Sequence, residues 1–384
     1  MFLSRSQRMT IQAPSATNDR WRDFDLMMFA TMLVLTGFGI VTIWSAVGLP
    51  PLATNNEGTR QAIFSVIGIV LLLITASIDY RYLQSAAWIL YALGIVALIV
   101  VQSPLGYAIS GAQNWINLGF TTIQPSEFTK VTTIIALAAF ISSRGEEMAE
   151  FGNFVLSGLI VALPTVLILI GPDLGQAMVY VALWASSLIV ARTRTRYIVA
   201  LVTLAPLAAV LMWEFVLQDY QRQRILVSYN PESDRLGDGY QIIQGRISIG
   251  AGGLLGAGIR GGTQSTLNLL GVRESDFIFA HASGMFGFVG MIALFLALVL
   301  YLWRCVKVAE VSRDTFGQVI AICTTGILFF QSFLNIGMNV GIMPVAGITL
   351  PFVSAGVSSL STFMILTGIL MSIRMNHRRI AYAR

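Results

Sequence analysis

The chain has 384 residues, of which 55% are hydrophobic and only 11% are charged, and its mean hydropathy is +0.74. Soluble domains carry roughly a quarter charged residues, so this composition excludes a water-soluble fold. The formal net charge is +5, but the basic residues lie between apolar runs and form no single patch, which argues against nucleic acid as a partner. We therefore expect an all-α polytopic protein whose solvent is the membrane.

Ten apolar runs are long enough to cross a bilayer, which takes about 20 helical residues. In chain order they are 26–48, 61–79, 84–103, 127–143, 153–171, 175–191, 197–217, 277–303, 316–341 and 349–373. We predict about ten transmembrane helices and a large extracytoplasmic loop, about 218–276, between spans seven and eight. Within that loop we expect an extended start at 220–227, a turn at 230–234 and an amphipathic helix near 241–249 at the membrane interface.

The short connections between spans divide by charge, and one side holds most of the Lys and Arg. The connections and the tail on that side are 79–81, 144–150, 192–196, 304–313 and 374–384. Cytoplasmic loops are enriched in Lys and Arg, so this side is predicted to be cytoplasmic, with both termini there. The expected organisation is a polar cytoplasmic segment 1–24, a ten-span membrane domain 25–375 and a basic cytoplasmic tail 376–384.

Ionisable groups near lipid depth are costly and therefore indicate functional sites. The segment Gln124 to Lys130 opens the fourth span, and Pro125 suits its first helical position. Glu127 and Lys130 are three residues apart and share a helix face. Two interpretations stay open: a self-contained ion pair at the helix mouth, or a carboxylate and a cation that line a polar cavity.

Two aspartates lie at other connections on the same side. Asp173, in a tight turn between spans five and six, is well placed to cap the sixth span. Asp276 precedes the eighth span, where it is either a cap or a carboxylate held at the membrane surface to accept a proton. The string 256–261 fits a dinucleotide fingerprint, but no strand precedes it, so we expect a flexible or closely packed loop there.

A set of motifs occurs in one order along the chain. They are Gln124 to Lys130, Pro172-Asp173-Leu174-Gly175, Tyr240 to Gly258, Gly262-Thr263-Gln264, Asp276 to Ala280 and Pro351-Phe352-Val353-Ser354. As a set, from about Arg60 to Ser359, they resemble the SEDS family of cell-wall proteins, which includes RodA, FtsW and SpoVE. The segments 221–225 and 262–264 look more like the elongation-type RodA branch.

The resemblance implies a peptidoglycan glycosyltransferase that polymerises lipid II at the outer face of a bacterial cytoplasmic membrane, for cell elongation and shape. It also implies a class B penicillin-binding protein, a transpeptidase, as partner. Asp276 would be the general base that deprotonates the acceptor sugar in an inverting reaction. Charge develops on the departing pyrophosphate and requires cations; the candidates are Lys130, Arg222, Arg224 and Arg246, with Mg²⁺ or Mn²⁺ as a further candidate. Glu127 would orient Lys130, and Asp173 would shape the cavity.

The chain departs from the family pattern near the expected site. Asn114 replaces an arginine, Glu274-Ser275 replaces His-Thr, Ser283-Gly284 replaces Glu-Glu, Ala355 replaces a tyrosine, and Thr349 replaces a proline. Two alternatives therefore stay open. One is a catalytically weak member of the family that binds lipid II or a penicillin-binding protein. The other is a transporter of lipid-linked precursor, although the sequence lacks the repeat symmetry that is common in transporters.

Overall fold

The computed structural model describes residues 20–49, 56–109, 112–119, 121–262, 264 and 267–377. These residues form twelve α-helices and three strands. The helices are α1 (Leu26–Ala46), α2 (Glu57–Ser77), α3 (Arg81–Val101), α4 (Pro125–Arg144), α5 (Phe151–Ile170), α6 (Leu174–Val190), α7 (Thr195–Phe215), α8 (Asp219–Tyr229), α9 (Asp238–Ala251), α10 (Ile278–Val311), α11 (Thr315–Val340) and α12 (Val357–Met375). Most of the predicted N-terminal segment and basic tail, and Gly111 and Thr263, lie outside the described residues.

Ten of the helices, α1–α7 and α10–α12, correspond to the ten predicted spans. Eight of these described helices are long and apolar enough to cross a membrane. The other two are α6, which is apolar but has 17 residues, and α4, whose 20 residues include Glu127, Lys130 and Arg144. A helix pairs its backbone N–H and C=O groups internally, as hydrocarbon requires. The prediction of an all-α, ten-span membrane protein is confirmed.

The last span, α12, lies at the centre of the bundle. In its most apolar window 83% of the residues are buried, whereas none is buried in the corresponding window of α7. Small and polar residues bring α12 close to α2: a Cβ on Gly68 would lie 2.9 Å from the Met364 Cγ, and the Thr75 hydroxyl is 3.4 Å from the Ile365 carbonyl oxygen. The helix α7 therefore lies at the periphery and α12 in the core.

A buried carboxylate joins three spans at the bundle end where α1 begins. Asp25 caps α1 by accepting a hydrogen bond from the Met28 N–H at 3.1 Å. The same side chain pairs with Arg304 of α10 at 2.6 Å and with Arg374 of α12 at 2.9 Å. A carboxylate removed from water needs such compensation, so Asp25 fixes the relative positions of α1, α10 and α12.

The long connection between α7 and α10 differs from its prediction at the start. Residues 220–227 were expected to be extended but lie within the helix α8. Gln218 and Gln221 form a reciprocal capping box there, and Gln, Arg and Leu favour helix. The predicted turn at 230–234 contains a short 3₁₀ helix, and the predicted amphipathic helix is α9, which buries Ile242 and Ser248.

Two span boundaries were also wrong. The eighth span was expected to end at 303, but α10 continues to Val311 and contains a break at Gly287, with φ 60° and ψ −167°. The tenth span was expected from 349, but its helix begins at Val357. Residues 349–356 form a compact loop in which the Leu350 N–H donates to the Ser354 hydroxyl at 2.8 Å. Hydropathy alone does not separate an apolar buried loop from a helix.

A small antiparallel sheet, which the sequence did not predict, lies between α3 and α4. Its strands are β1 (Gly106–Ile109), β2 (Ala112–Asn117) and β3 (Thr122–Ile123), in the order β1-β2-β3. The register pairs Tyr107 with Trp115 and Ile116 with Ile123. The sheet places β2 directly beside the entrance to α4.

Candidate active site

A polar cavity of about 600 Å³ lies where α4, α6 and α10 begin. We call this end of the bundle the cavity end, and the end that holds Asp25 the opposite end. The charged residues in the cavity wall are Glu57, Arg60, Glu127, Asp173, Arg224, Glu274 and Asp276. The three predicted connections, 124–130, 171–175 and 275–280, therefore converge on one site.

Asp276 lies in the segment that leads into α10. Its carbonyl oxygen accepts hydrogen bonds from Asn335 at 3.2 Å and Asn339 at 2.8 Å, both on α11. Phe277 is the residue at the helix cap, and no side chain caps α10, so the capping alternative for Asp276 is wrong. Its carboxylate is held at the cavity wall by its own backbone.

The surroundings of Asp276 suit a proton acceptor. Burial raises the pKa of Asp276 to about 6, and the nearby charge of Glu274 adds to this rise. A hydrogen bond with the Ser275 side chain and the positive charge of Arg224 act in the opposite direction. A carboxyl group with a pKa near 6 is ionised at neutral pH and still basic enough to take a proton in a transition state.

Asp173 has both carboxylate oxygens engaged. Its Oδ1 accepts from the Gln176 N–H at 3.0 Å, so the predicted cap of α6 is confirmed. Its Oδ2 accepts from the Asn114 amide at 3.3 Å and from the Gln124 amide at 3.2 Å. Burial, with the neighbouring Glu127 and Asp276 charges, raises the pKa of Asp173 to about 6, although the Gln176 hydrogen bond and Lys130 oppose this. Asp173 thus joins the sheet to the starts of α4 and α6, which fits a positioning role.

Glu127 and Lys130 form a buried ion pair between adjacent turns of α4. The Lys130 Nζ is 2.7 Å from Glu127 Oε2, and the two side chains are 0% and 2% exposed. Gln176 donates to the other carboxylate oxygen, Glu127 Oε1, at 2.7 Å. Glu127 lines the cavity, whereas Lys130 is not among the lining residues. Of the two predicted interpretations, each describes one residue. Lys130 contacts its partner Glu127 but does not reach the cavity, whereas Glu127 also faces the cavity.

The three arginines predicted to bind substrate are separated by the structure. Arg224 on α8 lines the cavity and lies over the Tyr220 ring at 5.7 Å. Arg222 is not in the wall, and its Nη2 donates to the Glu214 carbonyl oxygen at 3.0 Å. Arg246 is also outside the wall and donates to the Gly341 carbonyl oxygen at 2.9 Å, where it caps the C-terminus of α11. The substrate role of these last two residues stays a prediction that the cavity does not support.

Sequence reasoning missed Arg60 as a site residue. It lies in the first turn of α2, pairs with Glu57 at 2.8 Å and reaches the Thr121 hydroxyl at 3.4 Å. Its guanidinium brings a second cation into the cavity wall beside Arg224. The available signal was a lone arginine directly before the predicted start of span two, at 61, which was assigned to the loop.

The loop before α12 holds the backbone around Asp276. The Ser354 hydroxyl donates to the Ser275 carbonyl oxygen at 2.7 Å, and the Ala355 N–H donates to the Glu274 carbonyl oxygen at 2.8 Å. Gln61 of α2 donates in turn to the Ser354 carbonyl oxygen at 3.2 Å. Because these contacts use the backbone of 274 and 275, they do not depend on which side chains stand at those two positions.

The cavity carboxylates do not form a protein metal site by themselves. In the part of the chain that the structure describes, no three His, Cys, Asp or Glu side chains are grouped so that they could hold a metal ion. Asp173, the carboxylate with the most hydrogen-bond donors, already accepts three of them. The predicted Mg²⁺ or Mn²⁺ finds no ready-made ligand set among these side chains.

A helical membrane bundle with buried carboxyl groups and two guanidinium groups in one cavity suits acid–base chemistry on an anionic substrate. Comparison with known proteins gives the family. The model of the cell cycle proteins FtsW, RodA and SpoVE matches residues 25–379. The chain belongs to this family, as its motifs predicted.

Three relatives show how far the similarity extends. The peptidoglycan glycosyltransferase MrdB of Escherichia coli K12 is 36% identical over 357 residues, which cover 92% of this chain and 94% of that protein. The peptidoglycan glycosyltransferase RodA of Treponema pallidum is 32% identical over 424 residues, with 91% and 97% coverage. A chain of a solved peptidoglycan synthase complex is 28% identical, has a TM-score of 0.79 and matches over 93% of this chain and 99% of its own length.

Proposed function

We propose that this protein is an inverting peptidoglycan glycosyltransferase that polymerises lipid II into glycan strands for cell elongation. Relatives named peptidoglycan glycosyltransferases, similar over nine-tenths of the chain, support the activity. The observation that carries the mechanism is the presence of Asp276 and Arg224 in the wall of one cavity. A base and a cation in one site match the two demands of the reaction, proton removal and stabilisation of a departing anion.

In the proposed reaction Asp276 accepts the proton of the acceptor's sugar hydroxyl. The hydroxyl oxygen then forms a bond to the anomeric carbon of the growing chain's terminal sugar. The bond from that carbon to the undecaprenyl pyrophosphate oxygen breaks, and its electron pair leaves with the pyrophosphate. Attack opposite to the leaving group inverts the α-linked donor to a β-1,4 linkage.

The negative charge that develops on the pyrophosphate requires preorganised cations. Arg224 and Arg60 are the guanidinium groups in the cavity wall. Lys130 acts on the substrate indirectly, through Glu127. Its ammonium neutralises Glu127 and thereby limits the repulsion between Glu127 and an anionic substrate. A divalent cation would enter with the substrate phosphates, and no step here depends on it.

The cavity end is proposed to face the outside of a bacterial cytoplasmic membrane. Support comes from the opposite end, where cations predominate, as the positive-inside rule requires of a cytoplasmic face. The basic residues in the described connections and helix ends there are Arg20, Arg22, Arg81, Arg144, Arg192, Arg194, Arg196, Arg304, Lys307, Arg313 and Arg374. The cavity would then open to the leaflet in which lipid II is presented.

The proposed partner is a class B penicillin-binding protein that crosslinks the strands. The solved synthase complex that matches this chain is described as coordinating polymerization and crosslinking. A polymerase that resembles a chain of such a complex would supply uncrosslinked glycan to a transpeptidase.

The direct test is glycan polymerisation from labelled lipid II by the purified protein, with and without its class B penicillin-binding protein. We expect long glycan products that Asp276→Asn reduces by about 10²–10⁴-fold, the range for removal of a general base. Asn keeps the size of the side chain, so thermal unfolding should stay close to that of the parent. Undiminished polymerisation by a folded Asp276→Asn protein would remove Asp276 from the mechanism.

A catalytically weak relative that binds lipid II remains the second candidate. The observation that favours it is the amide of Asn114, which satisfies Asp173 where the family pattern places a cation. The same assay separates the two functions. Bound lipid II without product, under either condition, would support the binding protein and refute the polymerase.

A further inference from the structure

A glycine-rich loop, residues 252–259, fills the break in α10. The loop donates from the Ala257 N–H to the Gly284 carbonyl oxygen at 2.9 Å and from the Gly258 N–H to the Met285 carbonyl oxygen at 3.0 Å. It accepts from the Phe288 and Val289 N–H groups through the carbonyl oxygens of Gly253 and Leu254, at 2.9 and 3.1 Å. These bonds use backbone groups on both sides of Gly287, which the break would otherwise leave unpaired.

Glycine is required where the loop and the helix meet. A Cβ on Gly256 would collide with the Met285 carbonyl oxygen, and a Cβ on Gly252 would collide with that of Ser283. Gly256 and Gly287 also have positive φ values, 78° and 60°. The small residues at 283 and 284, which replace the family's larger pair, belong to the same close contact.

The length of α1 indicates how deep the loop lies in the membrane. At the opposite end of the bundle, α1 is paired with α10 because Asp25 contacts Arg304. At the cavity end, α1 contacts the loop, because the Ser45 hydroxyl donates to the Ile259 carbonyl oxygen at 2.6 Å. The 20 residues from 25 to 45 rise about 30 Å, the thickness of the hydrocarbon layer. The 15 residues from Val289 to Arg304 rise about 22 Å.

Leu254, bonded to Val289, therefore lies on the hydrocarbon side of the end of α1 near Ser45. Amphipathic segments at a membrane surface bury their apolar groups to about 5–10 Å. Irregular backbone is tolerated at such depth only where its polar groups are paired. The four backbone bonds to α10, with those from the Gly253 and Gly256 N–H groups to the Gly250 and Gly252 carbonyl oxygens, contribute this pairing.

The side chains at this depth are apolar and exposed. Leu254 is 71% and Leu255 is 79% exposed, and Leu254 is hydrogen-bonded to Val289 of α10, where Val289 and Phe288 are also exposed. No charged residue occurs from Gly250 to Ile259, and Arg260 follows immediately. An apolar tip with a cation behind it matches the order of acyl chains and headgroups in a leaflet.

We infer that Leu254 and Leu255 insert into the acyl-chain region of the leaflet at the cavity end and anchor the loop 252–259 in the lipid. The two leucines extend the lipid-facing surface of α10 onto the loop 252–259, which does not itself cross the membrane. The anchor ties α9, and through the chain the segment that leads to Asp276, to the level of the membrane surface. The cavity is thereby held at a constant depth relative to the headgroups of a lipid-linked substrate.

Site-directed spin labelling of the full-length protein in lipid nanodiscs tests the anchor. A nitroxide is attached at Leu254→Cys, at Leu255→Cys or at Leu236→Cys, which lies in the same long connection and is 99% exposed. The native Cys305 and Cys323 are buried, which limits background labelling. Collisions are measured with oxygen, which concentrates in lipid, and with a water-soluble nickel chelate.

We expect the labels at 254 and 255 to collide more with oxygen than with the chelate, and the label at 236 to show the reverse order. Chelate-dominated collisions at 254 and 255 would place the loop in water and overturn the inference. Low collision rates with both reagents would mean that protein, such as a second copy, covers the leucines, and would overturn it equally. The measurement needs no catalytic turnover, so its outcome is independent of the proposed glycosyltransferase activity.

Discussion

Asp276 lies between two charges of opposite sign in the same cavity wall, Arg224 and Glu274. The arginine lowers the pKa of Asp276 and the glutamate raises it, against a larger rise from burial that brings the value to about 6. A base must be ionised to accept a proton, so activity should increase as the pH rises through this pKa. The two neighbours therefore shift, in opposite directions, the acid limb of the pH profile that burial mainly determines.

Arg224→Gln should move the acid limb of polymerisation to higher pH. Removing the positive charge destabilises the Asp276 carboxylate and raises its pKa further. The variant should also lose activity at its optimum, because Arg224 is a cation proposed to stabilise the pyrophosphate. The measurement is the initial rate of glycan synthesis between about pH 5 and 8, a range that spans the Asp276 pKa.

Glu274→Gln is the matched control, because it removes the opposite charge from the same wall. Its acid limb should move to lower pH, since loss of the negative charge stabilises the ionised Asp276. Displacement of both variants in the same direction would contradict an electrostatic origin.

Lys130 is important for stability, because it compensates the buried charge of Glu127. Lys130→Met leaves Glu127 beneath the cavity with only Gln176 as a partner, and loss of one member of a buried pair costs about 3–5 kcal/mol. We expect a clear fall in the thermal midpoint in detergent. The double change Glu127→Gln with Lys130→Met should recover much of that loss, because no charge then remains unpaired. Equal melting of the parent and the single variant would show that the pair is not structurally important.

The elements of this fold differ in how clearly the sequence encodes them. The spans follow from uninterrupted apolar runs, and even α4, with its buried ion pair, was placed correctly because Pro125 marks its start. The helix α8 was misread as extended, because Ile225, Val227 and Tyr220 favour strands and its capping by Gln218 is unusual. The sheet β1–β3 depends on pairing between strands of two to six residues, which are too short to leave a periodic signal.

The site was predictable to a similar extent. Asp276, Glu127 and Asp173 adjoin span ends, where an ionisable residue is conspicuous, and all three line the cavity. The position of an arginine is harder to infer, because its long side chain reaches a wide range of partners. Arg246 turns to the end of α11 and Arg60 turns into the cavity, a difference that only the packing of the helices determines.

At the scale of elements, the contact between the glycine-rich loop and α10 should tolerate no side chain. Gly256→Ala combines a positive φ with a collision against Met285, and a strained backbone of this kind costs about 1–3 kcal/mol. Gly250→Ala is the control, since a Cβ there meets nothing within 4 Å and alanine favours the helix α9. Thermal unfolding should show a lower midpoint for the first variant and an unchanged or higher one for the second. The reverse order would exclude the close contact.

At the scale of the whole molecule, the proposed orientation is tested by labelling intact cells. Leu236→Cys in the long connection should react with a membrane-impermeant maleimide, and Thr195→Cys at the start of α7 should react only after the cells are opened. Both positions are exposed and belong to opposite ends of the bundle. The opposite pattern would invert the topology and place the cavity in the cytoplasm.

The central position of α12 has a consequence for biogenesis. This span is the most deeply enclosed of the candidate spans in the described chain, yet ribosomes synthesise it after all the others. Until it emerges, the faces of α2 around Gly68 and Thr75 have no helix to contact, and Asp25 has Arg304 but not Arg374. The nascent protein must therefore pass through a nine-span state with a vacant central slot. Docking of α12 also positions the loop that holds the backbone of Asp276, so the site is completed only after the other nine described spans have been synthesised.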